Sequence, residues 1–110
     1  MAVKRVSAVE RYAPKDVQIK KKLGGGVLKE LVVRETPSGK VLHYALAYIN
    51  HSIYSGDDGR VLGYDNSHNH SHKHFFGAMT PDSFTTYEEL YDRFQDEWMA
   101  IALEHISKGK

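Results

Sequence analysis

Val27–Glu35 (VLKELVVRE) and Lys40–Asn50 (KVLHYALAYIN), joined by Thr36-Pro37-Ser38-Gly39, decide how this chain folds. Both runs are rich in β-branched, aromatic and aliphatic residues, and the connector carries Pro and Gly where turns need them, so the pair reads as a β-hairpin. Along the second run Leu42, Tyr44, Leu46 and Tyr48 share one face, while Val41, His43, Ala45, Ala47 and Ile49 share the other. Two largely apolar faces predict a central strand.

Downstream, Ser55-Gly56-Asp57-Asp58-Gly59 is a second turn signal, after which Arg60–Tyr64 (RVLGY) resumes as strand. These strands in succession make an antiparallel β-meander. The segment 64–77 follows as a histidine-rich loop, then Gly77–Asp82 as a further loop containing Pro81. A helix is predicted from Thr85 or Thr86, where Thr85 with Glu88, or Thr86 with Glu89, has capping-box spacing. Leu90, Phe94, Trp98, Ile101 and Ala102 form one apolar stripe, flanked by Tyr87 and Tyr91, and Gly109 ends the pattern. The expected fold is α+β: a meander sheet with this C-terminal amphipathic helix packed on one face.

Upstream, residues 1–26 are basic and less ordered in expectation, because Pro14 and Gly24-Gly25-Gly26 interrupt any long element. A short element or two and then a flexible turn are predicted there. At 110 residues, with 41% hydrophobic and 26% charged residues, the chain fits a single domain, 1–110, and not a disordered protein. No apolar run approaches the roughly 20 residues needed to span a bilayer, and no apolar stretch follows the basic residues near Met1, so a cytoplasmic protein with no membrane partner is expected. Without cysteine it has no disulfide and no thiolate metal site. A net charge of +1 gives no general attraction for nucleic acid.

The chemistry concentrates in Tyr64-Asp65-Asn66-Ser67-His68-Asn69-His70-Ser71-His72-Lys73-His74-Phe75-Phe76-Gly77. In extended backbone the four alternate histidines form one row, with Asn69, Ser71 and Lys73 on the other side. Imidazole accepts and donates protons at neutral pH, so one reading is general acid–base catalysis, as in RNA phosphodiester cleavage. That reaction needs a base, an acid and a cation. His72 and His74 are the candidate acid and base, Asp65 an orienting carboxylate, Lys73 or Arg60 the phosphate contact, and Tyr64, Asn66 and His70 supporting or substrate-binding groups. This reading uses no cofactor. A second reading is a His/Asp metal-dependent hydrolase holding a divalent transition metal, with a further ligand from His43 or His51. A third is a non-enzymatic binding protein or inhibitor, carried for instance by a virus or plasmid, that uses the loop for recognition. His105 suits the negative pole of the helix, and Tyr44, Tyr48 and Tyr54 are expected under it.

The run V-L-G-Y-D-N, a short spacer, H-x-H, a glycine, then P-x-x-F-x-x-x-E-x-L-x-x-x-F resembles the TumE family of small toxins. It is carried here by Val61 to Asn66, His72 and His74, Gly77, Pro81, Phe84, Glu88, Leu90 and Phe94, within a likeness covering about residues 27–103. Asp65, Asn66, His72 and His74 match the family pattern, whereas His68 and His70 fall in its variable spacer. The resemblance implies the toxin of a bacterial or archaeal toxin–antitoxin pair, neutralised by a cognate helix-turn-helix antitoxin encoded beside it. An RNA target rests on the imidazole chemistry and on how often small toxins attack RNA. Oligomeric state stays open.

Overall fold

The structure is a computed structural model that describes residues 9–11, 15–36, 38–67, 70–83 and 85–108, without the side chains of 9–11. Pro14, Pro37, His68, Asn69, Phe84 and Gly109, all invoked above, lie outside the described residues.

The two deciding runs form β3 (Val27–Glu35) and β4 (Val41–Ile49), paired antiparallel with Leu28 opposite Tyr48 and Val32 opposite Tyr44. The meander continues through β5 (Arg60–Asp65), β6 (His72–Phe75) and β7 (Ala78–Pro81). On the other side, β1 (Val9–Arg11) and β2 (Lys15–Gln18) both pair with β3, completing a seven-stranded sheet. The described parts of the N-terminal 26 residues thus hold two short strands, then a 3-10 turn at Lys21–Leu23.

The histidine segment and the stretch after it depart from the expected loops. His72–Phe75 is a strand, because alternation places His72 and His74 on one face and Lys73 and Phe75 on the other, each side finding its own partners. Phe76 and Gly77, with φ of 48° and 84°, make the tight left-handed turn that a two-residue hairpin requires, and Ala78–Pro81 returns as β7. β7 is exposed throughout, and Pro81 ends it on the sheet edge where its missing N–H costs no ladder bond.

The helix α1 (Tyr87–Lys108) starts in the second of the two capping frames: the Glu89 N–H donates to Thr86 Oγ1 at 3.1 Å, and the Thr85 hydroxyl donates to the Glu89 carboxylate. Leu90, Phe94 and Ala102 are buried and Trp98 and Ile101 half-buried, as the apolar stripe requires. They pack on the even face of β4 and its neighbours: Tyr44, Leu46, Tyr48, Leu62 and Tyr64 are each no more than 1% exposed. Ring pairs tie the layers together, Tyr48 with Trp98 at 5.4 Å and Tyr64 edge-on to Phe94 at 6.4 Å. Asn50, at the end of β4, donates to Gly24 O at 2.9 Å and so joins the Gly24-Gly25-Gly26 bend to the sheet. Gly26, at φ 95°, could not be replaced: a Cβ there would lie 2.6 Å from Ile49 O.

One irregularity positions the site. Tyr48 faces Leu62 but Ile49 faces Arg60, so Val61 is an extra residue in β5, a β-bulge. Val61 turns fully into the core, and Arg60 comes out on the face away from the helix, the face of Gly63 and Asp65.

Candidate functional site

Register alone assembles the site. Asp65 pairs with His72 and Gly63 with His74 across β5 and β6, so Asp65, His72 and His74 stand together on the face that no helix among the described residues covers. With Arg60, Ser67, His70 and Met79 they line an open depression of about 480 Å³.

Within it the side chains form a connected chain. His74 Nε2 lies 2.9 Å from Asp65 Oδ2, and Arg60 Nη2 lies 3.2 Å from His74 Nδ1. Arg60 Nε donates in turn to Asp57 Oδ2 at 2.8 Å. A guanidinium has no acceptor, so His74 Nδ1 must accept from it and Nε2 must carry the proton given to Asp65. His74 is thereby held in one orientation, with both ring nitrogens occupied. His72 is different. Its Nδ1 stands 3.8 Å from Asp65 Oδ1, beyond hydrogen-bonding distance, and it makes no side-chain hydrogen bond among the described residues. The exposed His70 ring lies edge-on to it, centroids 6.4 Å apart.

Burial alone would raise the Asp65 carboxyl, but hydrogen bonds from the Ser67 backbone N–H and side chain and from His74 outweigh it and hold Asp65 below the usual carboxylate range. Asp65 is thus an anion across the neutral pH range. Its Oδ1 accepts the Ser67 N–H at 3.1 Å in an Asx turn that closes the end of β5.

Three of the expected site residues are engaged elsewhere. Asn66 spends its amide on the backbone: Oδ1 accepts the Tyr44 N–H at 3.0 Å and Nδ2 donates to Leu42 O at 3.1 Å, continuing the β4–β5 ladder where the strands part. Tyr64 and Lys73 are on the helix side. The Tyr64 hydroxyl donates to Glu97, and Lys73 Nζ reaches Glu97 Oε2 at 3.0 Å while lying 5.5 Å from the Tyr64 ring. Burial, together with the Glu97 carboxylate, pushes the Tyr64 phenol well above its ordinary value. The depression therefore contains Arg60, Asp65, His70, His72 and His74, and excludes Tyr64 and Lys73. His51, which the metal reading invoked, instead packs against Gly59, where a Cβ would lie 2.6 Å from its Nε2. No group of three or more potential metal ligands converges among the described residues.

A larger depression, about 760 Å³, lies between Lys21, Lys22, the Gly24–Gly26 bend, Ser52 and His105. It brings no acid–base pair within hydrogen-bonding distance. The smaller one holds the ordered polar chain and is the functional candidate.

Asp57, which sequence reading left as a turn residue, belongs to that chain. Its signal was the Asp57-Asp58-Gly59 triplet directly before Arg60, since an i,i+3 carboxylate and guanidinium can pair across a tight turn.

The chain is a small α+β protein with a histidine-centred depression on one face of an antiparallel sheet. The model of the family described as Toxin TumE matches residues 1–102, and the chain belongs to that family, which makes it a toxin of a toxin–antitoxin system with an antitoxin as partner. No curated protein and no solved structure gives a significant match. No helix among the described residues is long and apolar enough to cross a membrane.

Proposed function

We propose that this toxin is a metal-independent ribonuclease acting in the cytoplasm, with the Arg60–Asp65–His70–His72–His74 depression as its active site and a helix-turn-helix antitoxin as its neutralising partner. The observation that carries the reading is the convergence of three imidazoles, one ionised carboxylate and one guanidinium in a single open depression.

In this reading RNA lies across the uncovered face, its phosphate beside Arg60. His72, whose ring makes no hydrogen bond to another described side chain, takes the proton of the 2′-hydroxyl as the 2′-oxygen attacks phosphorus. The bond to the 5′-oxygen breaks, and that oxygen receives a proton from a second imidazole, for which His70 stands nearby. The products are a 2′,3′-cyclic phosphate and a 5′-hydroxyl. Asp65 orients His72 and stabilises its protonated form from 3.8 Å. His74 supports Asp65, because either ring nitrogen must first give up a hydrogen bond before it can exchange a proton with substrate.

The test is purified toxin incubated with total RNA and with defined oligonucleotides in the presence of chelator. Cleavage by the wild type and its loss in His72→Gln are expected. Growth arrest in cells without cleavage of any RNA by the same protein would sink the nuclease reading and leave inhibition by contact.

A further inference from the structure

We propose that Asp57 and Arg60 form a positioning device: the Asp57–Arg60 pair fixes the tautomer of His74, and His74 in turn aims Asp65 at His72. This rests on the ribonuclease reading only for its effect on turnover.

Four independent features of the fold converge on this arrangement. The first is backbone conformation. Asp57 and Asp58 both take positive φ, 50° and 54°, ahead of Gly59 at 82°. Two consecutive non-glycine residues in the left-handed region are strained and persist where surrounding contacts hold them. This turn is held by the Gly59 N–H on Gly56 O and by the Asn50 N–H on Gly59 O, both at 2.8 Å. It brings the Asp57 carboxylate onto Arg60 Nε.

The second feature is the bulge at Val61. By simple alternation Arg60 would share the helix face with Leu62 and Tyr64; the extra residue reverses it onto the histidine face. The third is Gly63. A Cβ at this position would lie 2.8 Å from Arg60 Cδ, so the missing side chain is the space through which Arg60 passes to reach His74. The last is the donor arithmetic: a guanidinium on Nδ1 forces the proton onto Nε2, and only that tautomer can donate to Asp65. With Oδ2 so engaged, Oδ1 is the oxygen turned to Ser67 and His72.

Arg60 thus acts on His72 through His74 and Asp65, and Asp57 acts through Arg60. Losing either leaves His74 free to exchange tautomers, and Asp65 free to rotate between donors.

Long-range ¹H–¹⁵N NMR of the histidine rings in the full-length protein tests this directly. The wild type should show His74 as a single Nε2-protonated tautomer. Asp57→Asn, Arg60→Gln and Gly63→Ala should each give a mixture; the last retains every charged group and displaces only the Arg60 side chain. In cleavage assays Asp57→Asn should lower kcat about 10-fold with KM within twofold, and the limb of the pH profile belonging to His72 should move. A single unchanged Nε2–H tautomer in folded Asp57→Asn and Gly63→Ala would overturn the proposal. Wild type that cleaves no RNA would overturn the ribonuclease reading instead, with the NMR result still deciding the role of Asp57 and Arg60.

Discussion

Lys73 and His74 are neighbours in sequence and lie on opposite sides of the sheet: Lys73 Nζ reaches Glu97 of α1 at 3.0 Å, and His74 Nε2 reaches Asp65 at 2.9 Å on the uncovered face. One residue of strand separates a fastening of the helix from the candidate chemistry.

Lys73→Gln should accordingly register as a loss of stability. The Lys73–Glu97 pair is about 30% exposed on both sides, at 29% and 31%, so screening limits its worth to about 0.5–1 kcal/mol, with the cation–π contacts to Tyr64 and Phe75 included. Urea unfolding measures it. A large fall in turnover at unchanged stability would return Lys73 to the reaction.

His72→Gln should do the reverse. The ring makes no side-chain hydrogen bond among the described residues, so Tm should move by little, while removal of the proton-transferring group should lower kcat by about 10²–10⁴. Thermal melts and single-turnover cleavage separate the two effects.

Acid should weaken the protein through Asp65. Its carboxyl lies below its ordinary value of 3.8, so the native state binds the proton less readily than the unfolded chain does. The resulting stability is fully present above the unfolded value, near pH 4, and is lost as pH falls through the lower folded value. Asp65→Asn should therefore be less stable than wild type at pH 6 and show a shallower decline towards pH 3, as read by urea midpoints across that range.

Asn66→Ala should destabilise the sheet by about 1–2 kcal/mol, because the Tyr44 N–H and the Leu42 carbonyl each lose a partner where β4 and β5 diverge. Hydrogen exchange should speed up at the Tyr44 amide ahead of the β4 centre. Weakened RNA binding at unchanged stability would instead assign Asn66 to substrate.

What the sequence made legible follows from how strongly each element is patterned. The β3–β4 hairpin and α1 carry long alternating or 3.6-residue patterns with their own turn and cap residues, and both stand where those patterns place them. β1, β2 and β7 are three or four residues long, too short to show a period, and β7 is exposed on both faces, so Ala78–Pro81 reads as loop. Within the site, Asp65, His72 and His74 were legible because each lies at strand spacing and pairing register does the rest. The same alternation, which sets Lys73 opposite the histidine row, gives Tyr64 and Lys73 to the helix side, where both meet Glu97. Arg60 joins the site against strict alternation, through a bulge that only the pairing of Tyr48 and Ile49 reveals.

The pairing of β5 with β6 has a consequence for how the molecule comes into being. Asp65, His72 and His74 meet within one hairpin, so closing the loop between them carries little entropic cost, and these contacts are among the most local in the chain. That hairpin is complete in the nascent chain before Tyr87–Lys108 has been synthesised. The candidate face thus owes its geometry to pairing within the sheet, and α1 contributes only the packing behind it.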